Sequence, residues 1–145
     1  MSTTPTLERL RQLLIKQEVH IGNLNPIDTG VIIVAAALAI PKDVTLTEKE
    51  VTERLYQWVT TIGSNVRADA VDLRRYLIDS HSLQRDPAGR AYTRVSEWPA
   101  KWKEIASELE LLDMGSFADQ VRTEEIERRA ARKKAALENK DSRNP

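Results

Sequence analysis

Several residue types are scarce in this chain, and each scarcity argues against a class of functional site. Cysteine is absent, which excludes disulfides, thiolate metal sites and a cysteine nucleophile. The two histidines, His20 and His81, lack the spacing of a metal-ligand pair, so we expect no zinc site. The five glycines are scattered and form no phosphate-binding loop. We therefore expect neither enzymatic activity nor a cofactor.

Net charge and long apolar runs are lacking as well. The 22 basic residues balance 22 acidic residues, whereas a dedicated nucleic-acid binder is usually basic, so strong non-specific binding is not expected. The longest apolar run, residues 31–40, is about half as long as a bilayer span. The first residues lack the basic and apolar regions of a signal peptide. We expect a cytoplasmic protein that does not contact a membrane.

The length of 145 residues and the 41% hydrophobic content predict one modest core. Thr4 as cap and Pro5 at the first helical position predict an N-terminal helix after a disordered Met1, Ser2 and Thr3. The run 31–40 predicts a central core helix that starts at Asp28 or Thr29. A strand, and a ligand or lipid pocket lined by this run, are the less favoured alternatives.

A sharply signalled helix begins after Thr47. The Thr47 hydroxyl can accept from the Glu50 amide while the Glu50 carboxylate accepts from the Thr47 amide, which is a capping box, and Leu46 and Val51 form the matching hydrophobic staple. We expect Gly63 to end this helix in the left-handed conformation. The apolar positions of the helix are Val51, Leu55, Trp58, Val59 and Ile62.

A second helix follows after a short connection, with Ser64 or Asn65 as its cap. Two helices joined so closely pack at a steep angle, as in a helix-turn-helix. The buried face of the second helix is predicted to contain Val66, Ala70, Leu73 and Leu77.

Beyond this helix the apolar pattern alternates, which predicts a β-hairpin of residues 83–85 and 90–95. Its turn, residues 86–89, contains Pro87, which fixes one dihedral, and Gly89, which tolerates positive φ. A two-stranded ribbon is not stable alone, so we expect it to pack on the helices through Leu83, Tyr92 and Val95. The predicted fold is mainly α with a small β-hairpin: a winged helix-turn-helix core, residues 46–95, with additional N- and C-terminal helices.

The same segment carries family-like motifs. Leu-Thr-Glu-Lys-Glu-Val at 46–51, Asp-Leu-Arg-Arg-Tyr-Leu-Ile-Asp at 72–79, and Leu-Gln-Arg at 83–85 followed by Gly-Arg-Ala-Tyr at 89–92 resemble the domain-of-unknown-function family 2087. Members of that family occur alone or fused to bacterial helix-turn-helix regulators, so the resemblance implies a role near transcription control. Two positions depart from the family pattern: Leu46 stands where tyrosine is common, and Thr52 where asparagine is common.

In a helix-turn-helix, the polar face of the second helix meets bases and phosphates. Arginine is suited to bidentate contacts with both. The candidate nucleic-acid-binding residues are Arg67, Arg74, Arg75, Arg85, Arg90 and Arg94. Asp69, Asp72 and Asp79 on the same helix would repel phosphate, so DNA affinity should be modest unless they point away. A solvated, mixed-charge face is the alternative reading of these residues.

Two C-terminal helices are predicted: one capped by Ser96 and ended by Gly115, and one from Ser116 to about Leu137. The first has an apolar seam formed by Trp98, Trp102, Ile105, Leu109 and Leu112. Terminal helices commonly pair winged-helix protomers, and tryptophan and arginine are favoured at interfaces, although a buried tryptophan pair is more often core. The candidate partner-binding residues are Trp98, Trp102, Arg128, Arg129, Arg132 and Lys133.

The predicted organisation is a globular domain at 1–115 and a charged helix with a disordered tail at 116–145, the tail starting at Glu138. The leading hypothesis is a non-enzymatic, transcription-associated protein that binds double-stranded DNA. The alternative is a protein-interaction adaptor on the same scaffold, whose partner is another protein such as an RNA polymerase-associated factor. We expect a homodimer in either case. The basic stretch 128–134 is a possible contact for nucleic acid or an acidic partner.

Overall fold

The structure is a computed structural model and describes residues 4–143. Its elements are α1 Pro5–Ile15, α2 Pro26–Ala37, β1 Thr45–Thr47, α3 Glu48–Thr60, α4 Ala70–Asp79, β2 Leu83–Arg85, β3 Ala91–Arg94, α5 Lys103–Leu109 and α6 Met114–Arg143. The strands form an antiparallel sheet in the order β1-β3-β2. The protein is therefore mainly helical with a small sheet, as predicted, and its element order is compatible with a winged helix-turn-helix. None of the helices within the described residues combines the length and apolar character that crossing a membrane requires.

Helix α2 forms the centre of the core, which confirms the predicted helix, although it ends at Ala37 and leaves residues 38–40 in a turn. Every residue from Gly30 to Ala37 is buried, and α1, α4 and α5 pack around it. The helix begins at Pro26, earlier than expected, because the Asn25 side chain accepts from the Asp28 amide at 2.8 Å and caps it.

Gly30 allows a tryptophan to pack directly against α2. A Cβ atom at this position would lie 2.5 Å from the Trp102 Nε1 atom, which is closer than two such atoms can approach. Glycine in a helix interior lowers stability by roughly 1 kcal/mol relative to alanine. At this position, however, glycine is what allows the large ring to pack closely. Trp102, 5% exposed, is consequently part of the monomer core.

The hairpin forms as predicted, and an unpredicted strand extends it. Gly89 has a φ of 69°, as its turn requires, and β1 pairs with β3 so that Leu46 lies opposite Tyr92. Leu46 was predicted only as part of a hydrophobic staple, but its backbone also forms part of the sheet. The expected contacts of the hairpin with the helices are confirmed by the burial of Leu83, Tyr92 and Val95.

The connection between α3 and α4 differs from the prediction. The capping box of Thr47 and Glu50 is present, but Gly63 does not adopt positive φ; the Trp58 ring packs against it so closely that a Cβ would lie 2.3 Å from a ring carbon. Asp69, rather than Ser64 or Asn65, caps α4 by accepting from the Asp72 amide at 2.8 Å.

Asn65 instead joins the connection to the N-terminal helix. Its side-chain amide donates to the carbonyls of Leu13 and Lys16 at 2.8 and 2.9 Å. Val19 and Val66 form a parallel bridge directly beside it. The connection is thus held by the end of α1, which explains why it is longer than a tight turn.

The C-terminal helices also differ in their bounds. Pro99 precedes a 3₁₀ turn, Ala100–Trp102, and α5 starts only at Lys103, so Ser96 caps no helix. Gly115 lies in the first turn of α6 rather than after a helix end. Helix α6 continues to Arg143, so the disorder predicted from Glu138 is wrong up to that residue. Residues 128–138, just before this stretch, are all alanine, leucine, glutamate, lysine or arginine, which are strong helix formers. The predicted disorder of Met1–Thr3, and of residues 144–145, lies outside the described residues.

Arg122 fastens α6 to the rest of the protein. Its guanidinium donates to the carbonyls of Leu14, Thr61 and Ile62 at 3.2, 3.1 and 2.7 Å, and to the Asn65 side-chain oxygen at 3.1 Å. A cation is favourable at helix C-termini, where carbonyls lack helical partners, and Arg122 serves the ends of both α1 and α3. Burial lowers the pKa of this guanidinium.

Candidate nucleic-acid interface

An open groove of about 520 Å³ runs along the exposed face of α4. We call it the α4 groove, and its lining residues are His20, Ile21, Gly22, Arg67, Ala68, Asp72, Arg75, Tyr76 and Asp79. The wall opposite α4 is the segment that follows α1, which the Val19–Val66 bridge holds in place. Of the six predicted nucleic-acid-binding arginines, this groove brings together Arg67 and Arg75.

Charges of both signs line the α4 groove. Asp72 and Asp79 lie on α4 beside Arg75, and Arg67 forms an ion pair with Glu18 at 3.2 Å. A hydrogen bond with His20, and then the charge of Arg67, hold the pKa of Glu18 below its usual value. The carboxylates would oppose a phosphate backbone, while the exposed arginines and Tyr76 offer groups that can contact nucleic acid.

Arg74 points into the protein rather than into the groove. Its guanidinium donates to the Thr52 hydroxyl at 2.7 Å and lies 3.4 Å from the Glu48 carboxylate. The other Glu48 oxygen accepts from the Tyr92 hydroxyl at 3.1 Å. Because its side chain is only 17% exposed and already bonded, we leave Arg74 out of the interface.

Thr52 occupies one of the two positions that depart from the family pattern. Its hydroxyl donates to the Glu48 carbonyl at 2.8 Å while accepting from Arg74. Leu46, at the other position, is buried in the sheet.

Arg94 also has internal partners. Its guanidinium donates to the Ile40 carbonyl at 2.9 Å and stacks over the Trp98 ring at 5.9 Å. Such a side chain stabilises the end of the hairpin against the body. We accordingly leave Arg94 out of the interface as well.

Arg85 and Arg90 are exposed on the hairpin, on either side of its turn. The turn itself is organised by Asp86, whose carboxylate accepts from the amides of Arg90 and Ala91 at 2.7 and 3.2 Å. These backbone hydrogen bonds, chiefly that from Ala91, lower the pKa of Asp86. The two hairpin arginines are thus presented from a well-defined turn and are available for a ligand.

The predicted partner-binding residues fall into two groups. Trp102 belongs to the core, and Trp98 is partly buried, with its Nε1 donating to Glu110 at 2.8 Å. A tryptophan packed inside the monomer offers no ring to a partner, so Trp102 is not an interface residue. The remaining four, Arg128, Arg129, Arg132 and Lys133, are exposed on α6.

Sequence reasoning did not identify Arg122, Glu48 or Thr52 as organising residues. Their partners lie 22 to 108 residues away along the chain, and no local pattern marks such contacts. Among the described residues, no three histidine, aspartate or glutamate side chains are grouped to hold a metal ion.

A protein-family model matches the middle of the chain. Searches of the curated proteins and of the solved structures returned no significant match. The matching family model covers the second half of α2 and all of β1, α3, α4, β2 and β3, while α1, α5 and α6 lie outside it. Residues 30–94 match the model of the family described as "Uncharacterized protein conserved in bacteria (DUF2087)", which confirms the resemblance inferred from the sequence.

Proposed function

We propose that this chain is a DNA-binding protein of the winged-helix type that acts in transcription control. The observation that carries the proposal is the order of elements. Helix α4 directly precedes the β2–β3 hairpin, and the strand before α3 completes the sheet. In helix-turn-helix proteins the second helix enters the major groove, so α4 is the element expected to meet the bases.

The exposed arginines form two groups that would contact different parts of a duplex. Arg75 and Arg67 border the α4 groove, and Arg85 and Arg90 flank the hairpin turn. Arginines on the helix would meet base edges or nearby phosphates, while those on the hairpin would bind the backbone. Asp72 and Asp79 keep the affinity modest, because each opposes a phosphate.

The test is binding of mixed-sequence 30-base-pair duplexes, followed by fluorescence anisotropy between 25 and 200 mM salt. We expect R75Q/R85Q/R90Q to weaken binding about tenfold or more and to reduce the salt slope by about 2–3, since each lost phosphate contact removes about 0.9. D72N/D79N should tighten binding several-fold. The variant K42Q/K103Q/K134Q removes the same charge from exposed positions elsewhere and should bind like the wild type.

A wild-type protein that binds no duplex at 25 mM salt would end this proposal. The protein-interaction adaptor would then be favoured, because the α4 groove presents alternating charges together with an exposed Tyr76, a composition suited to a protein surface. The adaptor predicts that a partner protein co-purifies with the full chain and is lost when the protruding part of α6 is removed. Truncation after Gly115 is unsuitable for this test, since it would also remove Arg122 and the buried Ala118 and Val121. Deletion of residues 132–145 keeps those contacts.

A further inference from the structure

The second half of α6 carries most of its basic residues on one face. Of the six basic residues between 128 and 140, Lys134 lies on the opposite side, and at about 100° per residue the other five fall within an arc of about 140°. We call these residues the basic stripe: Arg128, Arg129, Arg132, Lys133 and Lys140. On the same geometry Glu124, Glu127 and Glu138 lie together within about 60° on the far side.

The basic stripe continues the face by which α6 packs on the body. The packed positions Ala118, Val121, Arg122 and Glu125 fall within the same arc. Residues 126–140 are all exposed, and Arg129 still reaches the Ile15 carbonyl at 3.5 Å. The stripe therefore overhangs the end of α1, and from Arg132 to Lys140 it extends for about 12 Å at 1.5 Å per residue.

Glu125 orients the first two residues of the stripe. Its carboxylate pairs with Arg128 at 2.8 Å and Arg129 at 3.0 Å, and these partners, Arg128 first, lower its pKa. One carboxylate between two arginines leaves the pair with a net positive charge. The rest of the stripe, Arg132, Lys133 and Lys140, adds three further cations.

Contacts connect the basic stripe to the α4 groove. The end of α1 receives Arg129 and, one residue later, the side chain of Asn65. From there the chain runs to Val19, whose carbonyl accepts from the Arg67 amide at 2.8 Å. Arg67 lines the α4 groove, so the overhang begins beside one end of this groove.

We propose that the basic stripe is a second contact for duplex DNA, binding the phosphate backbone next to the segment that the α4 groove reads. This inference rests on the proposed function, and its occupant is argued from charge complementarity and from continuity with the groove. A second copy of α6 fits poorly, because antiparallel pairing centred on this region would place the two stripes against each other. Because contacts with phosphates carry no sequence information, the stripe, which lies outside the family match, would add affinity without altering base preference.

The experiment compares R132Q/K133Q/K140Q with the K42Q/K103Q/K134Q control in the same duplex-binding titration. Lys134 lies on the opposite side of α6 from the stripe, so the two variants remove equal charge from different surfaces. We expect the stripe variant to lose about 2–3 from the salt slope and to weaken binding equally for all duplex sequences. Deletion of residues 132–145 should reproduce this loss.

Each outcome decides between the two proposals. If the stripe variant binds duplex as tightly as the wild type while R75Q/R85Q/R90Q binds more weakly, the stripe proposal is overturned and the proposed function stands. Loss in the stripe variant alone overturns the groove and hairpin as DNA contacts, and with them the proposal that the stripe is a second contact beside the groove. Absence of wild-type binding overturns both. If poly-glutamate competes for the protein as strongly as unlabelled duplex at equal charge, the stripe would be assigned to an acidic protein and the proposal would be overturned.

Discussion

The α4–hairpin region and helix α6 both contain many arginines but use them differently. In the α4–hairpin region, Arg74 and Arg94 bond within the protein and Asp72 and Asp79 lie beside Arg75. In α6, Arg122 bonds to the body of the protein and Arg128 and Arg129 share Glu125, while the protruding half carries most of its basic residues on one face. Zero net charge is thus compatible with a strongly cationic surface, because the arrangement of charges on each element decides what a ligand meets.

The largest expected effect comes from breaking the attachment of α6. R122A removes four hydrogen bonds from a charged donor, each worth about 1.5–3 kcal/mol, although the freed carbonyls regain water in part. We expect a loss of about 3 kcal/mol in the free energy of unfolding, measured by urea denaturation. R132A, an exposed arginine of the same helix, should change it by less than about 0.5 kcal/mol. Equal effects of the two substitutions would contradict the division of α6 into packed and protruding halves.

A smaller effect distinguishes two adjacent arginines of α4. R74A breaks the contacts with Thr52 and Glu48 and should cost about 1–2 kcal/mol in the free energy of unfolding. R75A should leave stability within about 0.5 kcal/mol and instead weaken duplex binding. The measurements are urea denaturation and the anisotropy titration on both variants. If R75A proved the more destabilising, the assignment of internal and external roles would be wrong.

The smallest effect concerns the turn that presents Arg85 and Arg90. The pKa of Asp86 is depressed in the folded state, so its charge stabilises the turn above the ordinary value of about 3.8, and that contribution is lost as pH falls through the folded-state pKa. D86N should therefore be slightly less stable than the wild type at pH 6, with the difference shrinking as the pH falls below about 3.8. Thermal unfolding of both proteins across this range checks it. A difference independent of pH would exclude a role for the charge.

Local signals predicted the elements whose contacts are local. The capping box of Thr47 and Glu50, the turn at Gly89 and the all-apolar face of α2 each depend on residues within a few positions of one another. These patterns identified the helix before the connection, the hairpin and the central helix. The fold class followed from their order.

Features that depend on distant partners could not be predicted in this way. Strand β1 exists because Leu46 pairs with Tyr92, and Gly63 is required by the Trp58 ring rather than by its own backbone conformation. Asp69 caps α4, whereas Asn65, which was the predicted cap, bonds to the end of α1. Two of the six candidate arginines, Arg74 and Arg94, have such distant partners, and the sequence therefore did not show that they bond within the protein.

The bonds of Glu48 to both Arg74 and Tyr92 have a consequence for recognition. They tie α4 and the hairpin to the start of α3, whose preceding strand already pairs with β3. The separation between helix and hairpin is thus set before any ligand arrives, and little ordering entropy is lost on association. A duplex that binds both elements must adapt its own groove width and bend to this spacing, so selectivity would depend on the deformability of the DNA as well as on its bases.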